Sequence, residues 1–410
     1  MNSKLSWLAK FKEKNNLELI RLLLFFFIIF TFSINLFYKI SLDGTYVRGL
    51  LVDYLIPKIY LAEIFLIPFL ILEFNHLKKI KMATYGCLLI LFLLIRQLLS
   101  QNPLAAFTHL IHFTELFLFF IAVSRDPLFK SKMAAKFSLG AMFLVVIFQS
   151  LLAFYQFFFQ KSLLAYHALG ETNLQDFANI SKAQFFFGEK ILPYGTTPHP
   201  NILAGLVVVF SILIILKIKG SLKAQLILLA NALLIIFLTQ SISALLTLVL
   251  FGVYLIFQRI KVKRIFVIII YYFFLLLLPF LLSKISINGI NQDSVNRRVA
   301  LNQASLEMFK DKMLFGVGIN NFTLNLENYS TNGSNREVIR FVQPVHNLLF
   351  LVLSEGGLLL LIIIFLLIKE AKIDGFYRKS IILLAIASLD HYLLSQFSGI
   401  SLLALFYLFI

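Results

Sequence analysis

NQDSVNRRVALNQASLEMFKDKMLFGVGINNFTLNLENYSTNGSNREVIRFVQPVHNLLFLVLSEGG, residues 291–357, gathers charge, amide side chains and glycine in a chain that is 60% hydrophobic. It ends by running His346-Asn347 straight into an apolar run. Polar chemistry at the mouth of a membrane helix marks a functional site. The fold therefore turns on whether the flanking runs cross a bilayer.

Composition says that they do. With 46 Phe, 14% charged residues and a mean hydropathy of +0.89, the 410 residues read as one polytopic membrane domain over 1–410 rather than as soluble domains. Apolar runs of spanning length lie near 20–38, 56–73, 83–99, 104–124, 137–159, 201–217, 225–239, 242–258, 265–283 and 347–368. The final run, 380–410, is interrupted by Asp390-His391 and reads as two short spans. The expected fold is an all-α integral membrane protein of about 12 transmembrane helices. A large extracytoplasmic loop at 284–345 lies between helices 9 and 10, and a second at 161–199.

The net charge of +17 is a topology signal, not a nucleic-acid signal, because Lys and Arg fall in the loops. Segments 1–19, 74–82, 125–136, 217–224, 259–264 and 369–379 carry 22 Lys and Arg, against 13 in the longer segments 39–58, 161–199 and 284–345. That asymmetry puts both termini in the cytoplasm and the opening stretch outside. The N-terminus is a basic amphipathic lead with no small-residue cleavage site, so no cleavable signal peptide is expected. Cys87, the single cysteine, allows neither an intrachain disulfide nor a cysteine-based metal site.

The outer loops exceed ordinary connections in length and so read as functional. In the larger one, Val299, Leu306, Phe309 and Met313 recur at helical spacing, which predicts an amphipathic helix over about 295–313 lying on the membrane surface. Gly316-Val317-Gly318 breaks it, and Asn332–Asn335 is a turn or a disordered tip. Arg297 and Arg298 stand at its start, with Arg336 and Arg340 on the far side. Guanidinium groups pair bidentately with phosphate oxygens, so these arginines suit a diphosphate head group; a solvated charged face or lipid head-group contact is the alternative. His199-Pro200-Asn201 opens another span, where it is either a cap or an anion site. Asp390-His391-Tyr392 is either an interhelical hydrogen-bond lock or a substrate contact. His109, His112 and Glu115 read as a polar stripe facing the bundle, short of a metal-ligand set. Glu355 reads as the cap of a buried polar network.

Four patches, YGTTPHPNILAG at 194–205, LTQSISALL at 238–246, Arg298 through FGVGINNF at 315–322, and PVHNLLFLVLSEGG at 344–357, appear in order. In these the chain resembles the O-antigen ligase and O-antigen polymerase superfamily, bacterial membrane glycosyltransferases. The resemblance implies a multi-pass protein of the cytoplasmic (inner) membrane that moves a glycan from a polyprenyl diphosphate carrier to a hydroxyl on a lipid-linked sugar or glycan acceptor. It implies His346 as catalytic base and Arg298, with Arg297 as register alternative, at the diphosphate. His199, Asn201, Asn347, Arg336 and Arg340 complete the expected substrate contacts, with neither metal nor cofactor. Membrane lipids are the remaining expected partners; nucleic acid is not one.

The chain also departs from the family pattern. It has Ile242 where T-x-S-R-S carries arginine, and Leu192-Pro193 where an arginine precedes Y-G-T-x-P-H-P-N. Lys190, Arg336, Arg340 or Arg96 substitutes, or the carrier binds differently, or activity is altered or lost. Two readings from other classes follow: a transporter or flippase, disfavoured by the lack of mirrored halves, and a silent relative that binds a lipid-linked glycan.

Overall fold

The computed structural model describes residues 2–40, 43–78, 84–163, 166–175, 180–218, 220–260, 263–284, 292–329, 342–371 and 375–410. Arg336, Arg340 and the expected 332–335 turn lie outside the described residues. The protein is mainly helical. In chain order its helices are α1 (Asn2–Thr31), α2 (Glu63–Leu77), α3 (Thr84–Leu98), α4 (Pro103–Arg125), α5 (Lys132–Phe159), α6 (Pro200–Lys217), α7 (Leu222–Thr239) and α8 (Ile242–Arg259). α9 (Arg264–Tyr272) runs through a π-helical turn, Phe273–Leu277, into α10 (Leu278–Lys284). Then come α11 (Gln292–Asp311), α12 (Phe322–Asn325), α13 (Leu348–Ala371), α14 (Phe376–Ser380), α15 (Leu384–Leu389), α16 (Tyr392–Ser395) and α17 (Phe397–Phe409). Among the described residues, six helices (α4 to α8 and α13) are long and apolar enough to cross a membrane, and three shorter apolar helices accompany them. Eighteen residues, the length of α6, cover ~27 Å at 1.5 Å per residue, about a hydrocarbon thickness.

Local chemistry starts these helices where the sequence offers caps. The Asn102 side chain accepts from Ala105 N with Pro103 following, and Ser131, Ser221 and Ser241 accept from Ala134 N, Ala224 N and Ala244 N. α6 is the central helix: every residue from Ile202 to Ile214 is buried, against α5, α7, α8 and α17. An all-round apolar helix has its lowest free energy there.

The structure corrects four boundaries or faces. The run read as a span over 20–38 leaves the helix at Thr31, because Ser33 O and Asn35 N are taken by the loop before α6 and by α5: Asn35 N donates to Thr196 O (3.1 Å), and Gln149 Nε2 of α5 and Thr196 Oγ1 donate to Ser33 O (2.8 and 3.0 Å). The run read from 56 starts its helix only at Glu63. β1 (Phe37–Lys39) instead pairs antiparallel with β4 (Lys58–Tyr60), while β2 (Tyr46–Val47) pairs with β3 (Leu50–Leu51) and β5 (Lys182–Phe185) with β6 (Gly188–Ile191). α11 forms near its expected position but turns a different face inward. Ala300, Leu301, Ala304, Ser305 and Met308 are buried against α13, whereas Met313 is exposed. Small side chains permit close approach, and Ser305 Oγ donates to Phe350 O at 2.8 Å. Finally, α13 is kinked at Gly357 (φ 67°, ψ −167°), which a continuous apolar run did not predict.

Candidate active site

The YGTTPHPN turn is held from below by two glutamines of α5. Gln156 Oε1 accepts from Tyr194 N and Gly195 N (2.9 and 2.7 Å), and its amide donates to Gly195 O (2.8 Å). Gln149 Oε1 accepts from Thr196 N at 3.1 Å. Both glutamines are buried, and their seven-residue spacing puts them on one helix face. Gly195 takes φ +59°, and a side chain there would run into Gln149 and Leu203.

The clamped turn delivers His199 to the N-cap of α6. Its Nδ1 accepts from Asn201 N (3.1 Å), so in the neutral ring the proton sits on Nε2, 3.3 Å from Ser181 Oγ. The ring is exposed. Asn201 Nδ2 donates to Asp390 Oδ1 (3.3 Å), and Ser243 Oγ donates to Asp390 Oδ2 (2.6 Å). Asp390 thus ties the N-terminal ends of α6 and α8 to the break between α15 and α16, as a hydrogen-bond lock would. Burial raises its pKa, against the lowering effect of Arg298 and of the Ser243 and Asn201 hydrogen bonds.

His346 arrives from the opposite side. Asn347 is fully buried: its Oδ1 accepts from Phe350 N (3.1 Å), and its amide donates to Leu275 O (2.9 Å) and Ser388 O (3.3 Å). Leu275 belongs to the π-helical turn, whose altered register leaves a carbonyl for an outside donor. Asn347 therefore acts as a helix cap and interhelical tie that positions its neighbour. The half-buried His346 ring stands edge-on to His391, with centroids 4.9 Å apart and an interplanar angle of 82°. His346 Nδ1 is buried and has no hydrogen-bond partner. His391 Nδ1 bonds Ser395 Oγ.

Arg298 closes the group. Half-buried on the first turns of α11, its positive charge acts on His199, His346, Asp390 and His391 together. Burial, then His391, Arg298 and His199, hold the His346 imidazole well below its ordinary pKa. Burial, then His199 and Arg298, push His391 down to about 3. The site therefore pairs fixed positive charge with an imidazole held in its neutral form, whose Nδ1 meets no partner among the described residues. Among the described residues no group of three His, Cys, Asp or Glu is placed to share a metal ion.

Residues 225–365 match the family described as O-Antigen ligase. The match supports the O-antigen ligase and polymerase superfamily, and with it a membrane glycosyltransferase of that general type. A comparison with curated proteins gives no match. The ligase-like segment runs from α7 into α13 and contains Arg297, Arg298, His346 and Asn347, while His199, Asn201 and Asp390 lie outside it and join it only through the fold.

Within the ligase-like segment, FGVG and SEGG form an interlock. Val317 N and Gly318 N donate to Ser354 O (2.8 Å) and Glu355 O (3.0 Å), and Leu358 N and Leu359 N donate back to Met313 O (2.9 Å) and Leu314 O (3.2 Å). The kink at Gly357 opens those groups, and Gly316 and Gly357 are the points of closest approach. Arg96 donates to Gly316 O (3.1 Å) and so braces this loop. Glu355 accepts from Tyr54 Oη (3.0 Å to Oε2) and Phe322 N (2.9 Å), which makes it the network cap the sequence suggested. His112 Nε2 lies 3.1 Å from Lys58 O and 3.5 Å from Glu63 Oε1, inside the bundle. Arg297 is half-buried beside Arg298, and Lys190 sits on β6. The glutamine clamp and the interlock were not read from the sequence, in which a buried glutamine looks like any polar residue on an apolar helix.

Proposed function

We propose that this chain transfers a glycan from a polyprenyl diphosphate carrier to a hydroxyl acceptor at the outer face of the bacterial cytoplasmic membrane, with both termini inside. The observation that carries the reading is convergence: Arg298, His346 and His199 come from three separated motifs, and one guanidinium acts on both imidazoles. The acceptor oxygen attacks the anomeric carbon as the bond from that carbon to the diphosphate oxygen breaks. The hydroxyl proton passes to the neutral His346, and the electron pair of the broken bond stays on the diphosphate. Arg298, with Arg297 beside it, offsets the charge developing there, so no divalent metal is needed. His199 and Asn201, at the positive end of the α6 dipole, extend the anion site with their side chains. Asn347 serves the substrate indirectly, by fixing His346. Repeated transfer onto a growing chain makes the same site a polysaccharide polymerase; a single transfer makes it a ligase.

Ile242 and Leu192-Pro193, which replace two family arginines, favour one second reading: a protein that binds the carrier without turnover. Purified protein in proteoliposomes, given a defined polyprenyl diphosphate-linked glycan and a lipid-linked sugar, separates the two. Glycosylated acceptor supports the enzyme, and its length distinguishes ligase from polymerase. Saturable carrier binding with no product supports the silent binder.

A further inference from the structure

A cavity that the proposed donor site does not use reaches the His346–His391 pair through Ser395. Its lining includes Asp53, Lys58, His109, Asn320, Ser395 and Phe397. We infer that this cavity, about 30 Å³ and partly open, is the acceptor subsite and takes hydroxyl groups at one edge of a sugar whose ring stays outside it; the inference rests on the transfer reading above.

The donor and acceptor pattern of the lining points to a polyhydroxyl ligand. Asn320 is 2% exposed, yet among the described residues its Oδ1 has no hydrogen-bond partner. Leaving a buried amide oxygen unmet is costly, so its presence calls for a ligand donor or an ordered water. Asn320 is also held at φ +61°, in the left-handed region that non-glycine residues rarely occupy. The Glu355 carboxylate imposes that conformation by taking the backbone N–H groups of the 320–322 turn. The cost thus falls on one residue, at the point where its side chain lines the cavity.

The Asp53 carboxylate faces the same space. One oxygen takes Lys58 Nζ at 2.7 Å, and the other has only a long contact from Gln396 at 3.5 Å. Lys58 is itself buried, with its ammonium over the Phe37 ring. A carboxylate and an amide oxygen lining one cavity can each accept from a sugar hydroxyl, while the Phe397 ring, stacked on Tyr60 at 4.5 Å, offers an apolar wall to a C–H edge. Ser395 joins the two sites. It lines the cavity, and its hydroxyl bonds His391 Nδ1, whose ring abuts His346. An acceptor sugar bound here would approach the base from the Ser395–His391 side.

The test uses full-length protein in proteoliposomes and a panel of alkyl monosaccharides carrying a diazirine on the sugar. Labelling should fall on peptides containing residues 53–60, 104–112 and 395–397 and be competed by the untagged glycoside. Asn320→Gly, which keeps the left-handed backbone and removes the amide, and Asp53→Asn should each cut labelling about tenfold, the effect of one lost hydrogen bond to a charged or buried partner. Where the wild type transfers, Asn320→Gly should raise acceptor KM by a similar factor and leave donor KM unchanged. Labelling that is not competed, that falls elsewhere, or that survives both substitutions overturns the inference and leaves a water-filled cavity. Labelling in the cavity without transfer by the wild type would instead sink the transferase reading alone, and Arg298→Ala, which removes the diphosphate contact but not the cavity, should weaken donor binding and slow transfer while labelling persists.

Discussion

His391 presents its ring edge-on to His346 at a centroid distance of 4.9 Å, and among the described residues neither imidazole forms an ion pair. Two adjacent imidazoles beside Arg298 repel protons, so the pair stays neutral at physiological pH. A neutral base is the form that can accept the acceptor's proton.

Acid should therefore inhibit late. The limb of kcat/KM reports the free enzyme, and burial with the positive neighbours places it below the ordinary imidazole value of about 6.5. Arg298→Met removes a positive neighbour, which favours the protonated ring, so the limb should move to higher pH. Bound diphosphate adds negative charge, so the kcat limb should lie above that of kcat/KM. A kcat/KM limb at or above about 6.5 in the wild type would contradict the assignment.

The same histidines link stability to pH. Their folded pKa values lie below those of the unfolded chain, so below about pH 6.5 the unfolded state binds more protons and stability falls as pH falls. Thermal unfolding in detergent should show Tm declining through the window from about 6.5 downward, and His391→Phe should blunt the decline.

Asp390→Asn keeps a side chain able to bond Ser243 while removing the charge opposite Arg298. We expect the fold to survive and donor KM to change by about tenfold, the scale of one charge-assisted interaction. Asp390→Leu breaks the bonds to Asn201 and Ser243 and should lower Tm as well. Unchanged donor kinetics in Asp390→Asn would reduce the residue to a lock.

Much of this arrangement was legible in the sequence, because apolar runs of spanning length have few alternatives and Asp390-His391 is a conspicuous interruption. What escaped reading depends on packing. Phe37 and Tyr38 look like the end of a span, and only their strand partners at Ile59 and Tyr60 make them otherwise. The α11 helix was visible, yet its largest apolar residues suggested the buried face, whereas close contact with α13 selected Ala300 and Ala304. Gln149 and Gln156 carry no local pattern, since their partners are the backbone groups of a turn about 40 residues away in sequence. The pairing of His346 with His391 spans separate motifs, and periodicity carries no information about it.

The FGVG–SEGG interlock predicts a sharp contrast among glycines. Gly316→Ala and Gly357→Ala place a Cβ against opposing backbone at positive φ, so each should cost about 1–3 kcal/mol and lower Tm. Gly252→Ala, in α8 with open space around it, should leave Tm unchanged or raise it slightly. Equal effects at all three sites would contradict the interlock.

The central claim separates binding from chemistry, with Arg298 holding the diphosphate and His346 moving the proton. Donor affinity and single-turnover transfer should be measured together, in proteoliposomes, for the wild type, His346→Ala and Arg298→Ala. The account predicts that His346→Ala binds the polyprenyl diphosphate donor as the wild type does but transfers about 100-fold to 10,000-fold more slowly, while Arg298→Ala loses donor affinity. Wild-type transfer by a correctly inserted His346→Ala protein would contradict it.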